Sequence, residues 1–205
     1  MKKLNKTIKT NAGMTYVELI VVLSIFSVMT SITLFNYGKF QEKVDIKNLS
    51  NDIALKIVEA QKSALSGQLP LQSYGPGWKP SYGVYFDLSS SGGNKSFAFF
   101  TDLDQSRDYT DSSFCSSPGG GECLEKINIT KENHISDITV FYQDGTSAPV
   151  LANLSLTFTR PDSSVIVSSS GTALFNVSYV QITIASPSLI TARIKAYSSG
   201  RIQIN

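Results

Sequence analysis

Histidine and cysteine are nearly missing from this chain. Among 205 residues there is one histidine, His134, and there are two cysteines, Cys115 and Cys123. Two thiols and one imidazole do not make a four-ligand zinc site. A catalytic triad would have to be assembled from scattered residues, and neither a phosphate loop nor a nucleophile elbow is present. An enzyme reading therefore fails on inventory, and His134 reads as a strand-edge surface residue. Three further absences are local. No charge occurs between Leu19 and Phe35, no proline precedes Pro70, and no acid follows Asp162. The formal charge of +2 also hides an imbalance, because Lys2, Lys3, Lys6 and Lys9 all lie in the first 13 residues. The rest of the chain has 14 basic against 16 acidic side chains, so bulk charge gives no general affinity for nucleic acid.

What is present is concentrated at one junction. The basic stretch ends at Gly13, Met14-Thr15-Tyr16-Val17 follow, and Glu18 stands at the head of the uncharged run. The 24 residues from Met14 to Tyr37 exceed the ~20 needed to cross a bilayer. A secretory signal peptide has a shorter apolar core and a small-residue site behind it. Here the small residue lies before the run. A plain signal anchor accounts for the lysines as cytoplasmic charge, but not for an acid in an apolar span, where it is costly and needs a partner. Ser24, Ser27, Thr30, Ser31 and Thr33 within the run can bond to helix carbonyls or to neighbouring helices.

This junction resembles the class III leader of type IV prepilins and pseudopilins. The resemblance implies cleavage between Gly13 and Met14 by a prepilin peptidase, methylation of the new N-terminus at Met14, and pairing of Glu18 with the terminal amine of a neighbouring subunit during assembly. The partners it implies are the peptidase, other pilin or pseudopilin subunits, an inner-membrane assembly platform and the lipid bilayer. It implies no catalytic residues and no enzyme.

From Gly38 the helical pattern becomes amphipathic. Ile46, Leu49, Ile53, Ile57, Ala60 and Ala64 recur at spacings of three and four, with charged residues on the other faces. Gly67 and Pro70 end it. One helix from about Met14 to Ser66 would be roughly 80 Å long. Gln68–Pro80 reads as a connector rich in turn residues. Strand patterns follow at Tyr82–Leu88, Ser96–Thr101, Ile127–Thr130, Ile135–Tyr142, Leu154–Arg160, Ser164–Ser168, Tyr179–Ala185, Leu189–Tyr197 and Arg201–Ile204.

The C-terminal half carries a second resemblance. Leu156-Thr157-Phe158-Thr159-Arg160-Pro161-Asp162 and the closing Ala196-Tyr197-Ser198-Ser199-Gly200-Arg201-Ile202 are similar to the GspH/FimT-like group of minor pseudopilins and minor pilins. The expected fold class is α+β: a long N-terminal helix packed on a C-terminal all-β domain of antiparallel sheets. Its expected parts are a leader (1–13), a transmembrane helix half (14–37), an amphipathic helix half (38–67) and a globular domain (68–205). The expected setting is a single-pass inner-membrane protein with the domain outside the cytoplasm, destined for a type IV pilus or a type II secretion filament.

Several sites keep two readings. Cys115 and Cys123 flank a loop rich in glycine and serine, and they form a disulfide or remain free or intermolecular thiols. Asp102, Asp104, Ser106 and Asp108 alternate along a loop in a way that can wrap calcium, the one cofactor candidate. Arg107 and Ser113 stand where an EF-hand needs glycine and glutamate, so the alternative is a solvated acidic turn. Arg193, Lys195 and Arg201 leave residues 163–205 locally +3, which gives either weak phosphate contacts to DNA or charges keeping an outer sheet face in water. Gln203 stands where DNA-capturing relatives of the group place a second arginine, which argues against DNA. Tyr82, Tyr85, Phe86, Phe97, Phe99 and Phe100 make either a stacking platform or, more simply, a core.

Overall fold

A computed structural model of the chain describes residues 13–69, 77–110, 115 and 121–205. The leader up to residue 12, connector residues 70–76, and positions 111–114 and 116–120 of the cysteine loop, Ser113 included, lie outside the described residues. The chain divides into two compact units, residues 1–41 and 42–205.

One helix, α1 (Tyr16–Ser66, 51 residues), runs through both units, as expected of a stretch with no proline. Its end has a physical cause. Gly67 takes the left-handed conformation at φ 69°. Its N–H then reaches the Ala64 carbonyl and that of Gln68 reaches Ser63, both at 3.1 Å. This pair of bonds satisfies carbonyls that a helix end leaves orphaned.

In the first unit the helix is apolar on every face and exposed on nearly all of them. In the second unit it is one-sided: Ile46, Ile53, Ile57, Ala60 and Ala64 are buried and Leu49 packs against them. Glu42 accepts hydrogen bonds from the Ser186 and Ser188 hydroxyls. Lys131 meets Asp45 at 2.6 Å and Lys56 meets Glu125 at 2.8 Å.

Among the described residues eleven strands form two antiparallel sheets. The first sheet contains β1 (Ser81–Asp87), β2 (Ser96–Thr101), β3 (Cys123–Asn128), β6 (Asn153–Thr159), β7 (Val165–Ser169) and β8 (Thr172–Leu174), in the order β3-β2-β1-β6-β7-β8. The second contains β4 (His134–Tyr142), β5 (Ser147–Pro149), β9 (Val177–Ala185), β10 (Thr191–Tyr197) and β11 (Ile202–Ile204), in the order β11-β10-β9-β4-β5. The α+β class expected from the sequence is the architecture observed. The three-residue strands β5 and β8 carry too little alternation to read beforehand, and β3 begins earlier than its apolar residues indicate.

Alternate residues of both sheets and the buried stripe of α1 form one core. Tyr82, Val84 and Phe86 of β1, Phe97 and Phe99 of β2, and Leu154, Leu156 and Phe158 of β6 face it from the first sheet. Ile138, Val140, Val180, Ile182, Ile184 and Ile194 face it from the second. A register shift between Ile135 and Asp137 inserts Ser136, so Ile135 and Ile138 both point inward despite a spacing of three.

The opposite face of β1 and β2 is also covered. Tyr85, Ala98, Phe100, Tyr109, Cys115 and Cys123 form a second, smaller core. It lies between the first sheet and the 102–122 excursion that connects β2 to β3. Every residue of β1 and β2 is consequently buried. The six aromatics that left a stacking platform open are shared between these two cores. Trp78 is half-buried and donates through Nε1 to the Leu103 carbonyl, tying residues before β1 to the excursion.

Candidate functional site

The start of α1 is the first candidate. The helix begins at Tyr16, so Thr15 is the residue that caps it and Glu18 is the third residue inside. The Glu18 N–H donates to Thr15 Oγ1 at 3.3 Å, and Leu19 N–H to the Thr15 carbonyl at 3.1 Å. Thr15-x-x-Glu18 is thus the spacing of a capping box, a role for Glu18 that this four-residue pattern signals by itself. An acid in the first turn also favours the positive end of the helix dipole, by roughly 0.3–1 kcal/mol. The side chains beyond it are apolar and open: Met14 is 63 % exposed, Phe26 66 % and Phe35 84 %.

Three hydroxyls within this stretch, those of Ser24, Thr30 and Thr33, bond to the helix itself. Ser24 donates to the Val21 carbonyl and Thr30 to that of Phe26, both at 2.8 Å. Thr33 donates to Thr30 at 2.8 Å. Such back-bonding lets a polar residue sit in lipid without an orphaned donor. Length, composition and exposure together make this one helix long and apolar enough to cross a membrane.

The second candidate is acidic. Of the four residues read as alternating ligands, Asp102 and Asp104 stay together, and they are joined by Glu122 from the far end of the excursion. One carboxylate oxygen from each lies within 4.8 Å of the others. Ser106 and Asp108 are engaged elsewhere. The Ser106 hydroxyl donates to the Asp108 carbonyl at 3.1 Å. The Asp108 carboxylate accepts from the Ser155 hydroxyl, from Tyr109 N–H at 2.8 Å and from Gly171 N–H at 2.6 Å. Asp108 therefore fastens the excursion to β6 and to the β7–β8 turn. The stretch is solvated only in its middle: Asp104, Gln105, Ser106 and Arg107 are exposed, whereas Asp102 and Asp108 at its ends, and Glu122 beside them, are each more than nine-tenths buried. The pairing of Asp102 with Glu122 depends on chain closure between distant positions, and no local spacing announces it.

Burial pushes the Asp102 carboxyl up to about 6, aided by the Glu122 and Asp104 charges and opposed by the Arg107 N–H. Burial likewise raises Glu122, against bonds from Thr110 and Leu103. Asp104 also feels burial, but the bonds from Ser106 outweigh it and hold that carboxyl below its usual value.

Cys115 and Cys123 are joined as a disulfide with Cα atoms 5.4 Å apart, inside the second core. Closing this short loop contributes on the order of 2–3 kcal/mol.

The three C-terminal cations lie on β10 and the turn that follows it. Lys195 sits over the Tyr179 ring at 5.0 Å and Arg201 over the Tyr197 ring at 3.9 Å. Those rings belong to a ladder across the second sheet, Phe141 to Tyr179 at 4.5 Å and Tyr179 to Tyr197 at 5.3 Å. Arg193 is exposed two residues from Lys195, with Asp137 in the same cross-strand row through Thr183. His134 opens β4 and is half-buried.

Compared with known protein families, curated proteins and solved structures, the chain matches none.

Proposed function

We infer that this chain is a filament subunit of the minor pilin or pseudopilin type, with assembly as its activity. One observation carries the reading. A helix with continuous exposed apolar surface begins directly after a basic stretch ending in Gly13, and Glu18 in its first turn is its only charge before Lys39. In a lipid or a helix bundle that acid needs a cationic partner. Hydrolysis of the Gly13–Met14 peptide bond supplies one, the freed amine of Met14. Methyl transfer from a sulfonium donor leaves that amine charged. The Met14 amine of one copy then meets Glu18 of the next, while residues 42–205 remain outside the membrane. The cleaved helix waits in the inner membrane until an assembly platform extrudes it into a pilus or a secretion filament.

The test is N-terminal mass spectrometry of the full chain expressed with and without a prepilin peptidase. The expected peptide begins at Met14, carries one added methyl group and depends on the peptidase. A chain retaining residues 1–13 under both conditions would leave a signal-anchored β-domain and remove the assembly role of Glu18.

A further inference from the structure

Asp102 directly follows β2 and Glu122 directly precedes β3, so the two acids meet where the 102–122 excursion closes. The closure is a backbone contact: Thr101 N–H donates to the Glu122 carbonyl at 2.8 Å. Asp104 joins them from the first turn of the excursion. Three formal negative charges thus share one small volume, two of them buried. Among the described residues none of the three forms an ion pair. Arg107, five residues after Asp102, meets it through its backbone N–H at 3.1 Å.

The local donors do not complete the set. Glu122 is well supplied, with Leu103 N–H on Oε1 and Thr110 N–H and hydroxyl on Oε2. Asp104 accepts from Ser106 N–H at 2.9 Å and shares the one Thr110 hydroxyl proton, 3.2 Å away, with Glu122. Asp102 is different. Its Oδ2 takes the Arg107 N–H, while Oδ1 is buried and accepts no hydrogen bond among the described residues. A buried carboxylate oxygen without a donor, among two other acids, is costly unless a cation or a proton answers it.

We propose that Asp102, Asp104 and Glu122 hold one hard divalent cation, calcium foremost, which clamps the two ends of the excursion over the first sheet. The dimensions fit. Two oxygens on opposite sides of a calcium ion at about 2.4 Å each are about 4.8 Å apart, and one carboxylate oxygen from each of the three acids lies within that distance of the others. The donor chemistry selects the ion. All three ligands are carboxylate oxygens, whereas both cysteines are tied up in the disulfide and the one histidine lies on β4. Oxygen ligands on an irregular loop suit calcium, which tolerates varied geometry, over magnesium, which demands a regular octahedron. Asp104 is exposed and leaves the site an entry from solvent. The site does not depend on the filament reading, since an anchored β-domain would carry it equally well.

The competing account is a shared proton between Asp102 and Asp104 with no metal. Calcium titration of the full chain in detergent micelles, after chelator treatment, separates the two. Heat of binding and thermal unfolding are followed up to ~5 mM calcium, above the 10⁻⁴–10⁻³ M range of weak calcium modules. The expected result is one saturable site and a midpoint that rises with calcium. Asp104→Asn should weaken binding by about tenfold or more, with little change in metal-free stability because that side chain is exposed. Asp102→Asn should abolish the calcium response and raise metal-free stability, because it removes a buried charge. A wild-type chain with no heat and no shift would overturn the proposal, as would an Asp104→Asn chain that binds as tightly as wild type.

Discussion

Two physical demands coincide on Glu18, and their sizes differ enough to be told apart. As the third residue of a capped helix it contributes a fraction of a kilocalorie through the dipole. As the buried partner of a terminal amine, the role proposed for it, it would be worth far more, because removing one member of such a pair costs about 3–5 kcal/mol. Glutamine distinguishes them, since a capping box accepts glutamine as readily as glutamate while an ion pair does not. Glu18→Gln is therefore expected to block filament incorporation as completely as Glu18→Ala, with membrane insertion unchanged in both. The measurement is the ratio of subunit in sheared filaments to subunit in the membrane. If the Gln chain enters filaments normally while the Ala chain does not, Glu18 is a cap and the assembly pairing is wrong. The capping role lay in the sequence as Thr15-x-x-Glu18, overshadowed by the apolar run behind it. The Asp102 to Glu122 pairing was not there to be read, because nothing within a few residues of either acid specifies the other.

Elements were legible where their burial is one-sided. The stripe from Ile46 to Ala64 and the alternation along β4 and β9 each repeat with the period of the face they bury. The exceptions are informative. β1, β2 and all but the ends of β6 are buried on both faces, and a strand of that kind requires cover on both sides. The second cover, the 102–122 excursion, is polar in composition, so the sequence pattern does not announce it as a cover. Turns can be tested at this scale. Gly200 joins β10 to β11 at φ 85°, and a methyl group there would collide with the Ser163 carbonyl and the Gln61 amide. That amide donates to both the Ser163 and Gly200 carbonyls, at 3.1 and 3.2 Å, so α1 and two turns converge on one glycine. Gly145 has the same φ of 85° in open space. Gly145→Ala is expected to cost only the backbone term, roughly 1 kcal/mol, and Gly200→Ala roughly 2–3 kcal/mol or more. Denaturant unfolding of the two full-chain variants side by side reads the difference. Equal losses would mean that the convergence on Gly200 contributes nothing beyond its dihedral angle.

At the scale of the whole molecule the two units pose opposite problems. Residues 42–205 bury most of their apolar side chains in two cores and leave scattered ones, such as Leu151, Phe175 and Leu189, exposed. The first unit leaves twelve large apolar side chains exposed between Leu19 and Phe35, from Leu19 at 46 % to Phe35 at 84 %. Burying one such side chain is worth about 1.5–3 kcal/mol when it starts fully exposed. With partial cover from the helix itself, the uncovered surface still represents on the order of 10–20 kcal/mol, as large as the entire net stability of a typical domain, roughly 5–15 kcal/mol. Water is therefore a costly surrounding for this helix, and lipid is a cover that matches its length and composition. On the proposed function neighbouring copies of the helix replace lipid in the filament, and before assembly only lipid is available. The full chain, expressed without its assembly partners, is expected to sediment with membranes, to stay in the pellet through alkaline carbonate, and to be released by detergent. Peripheral attachment through the charges of residues 42–205 would instead be lost in carbonate. Recovery of the chain in the carbonate supernatant would show that the exposed face of α1 is covered by something other than a bilayer, and the single-pass reading would fall with it.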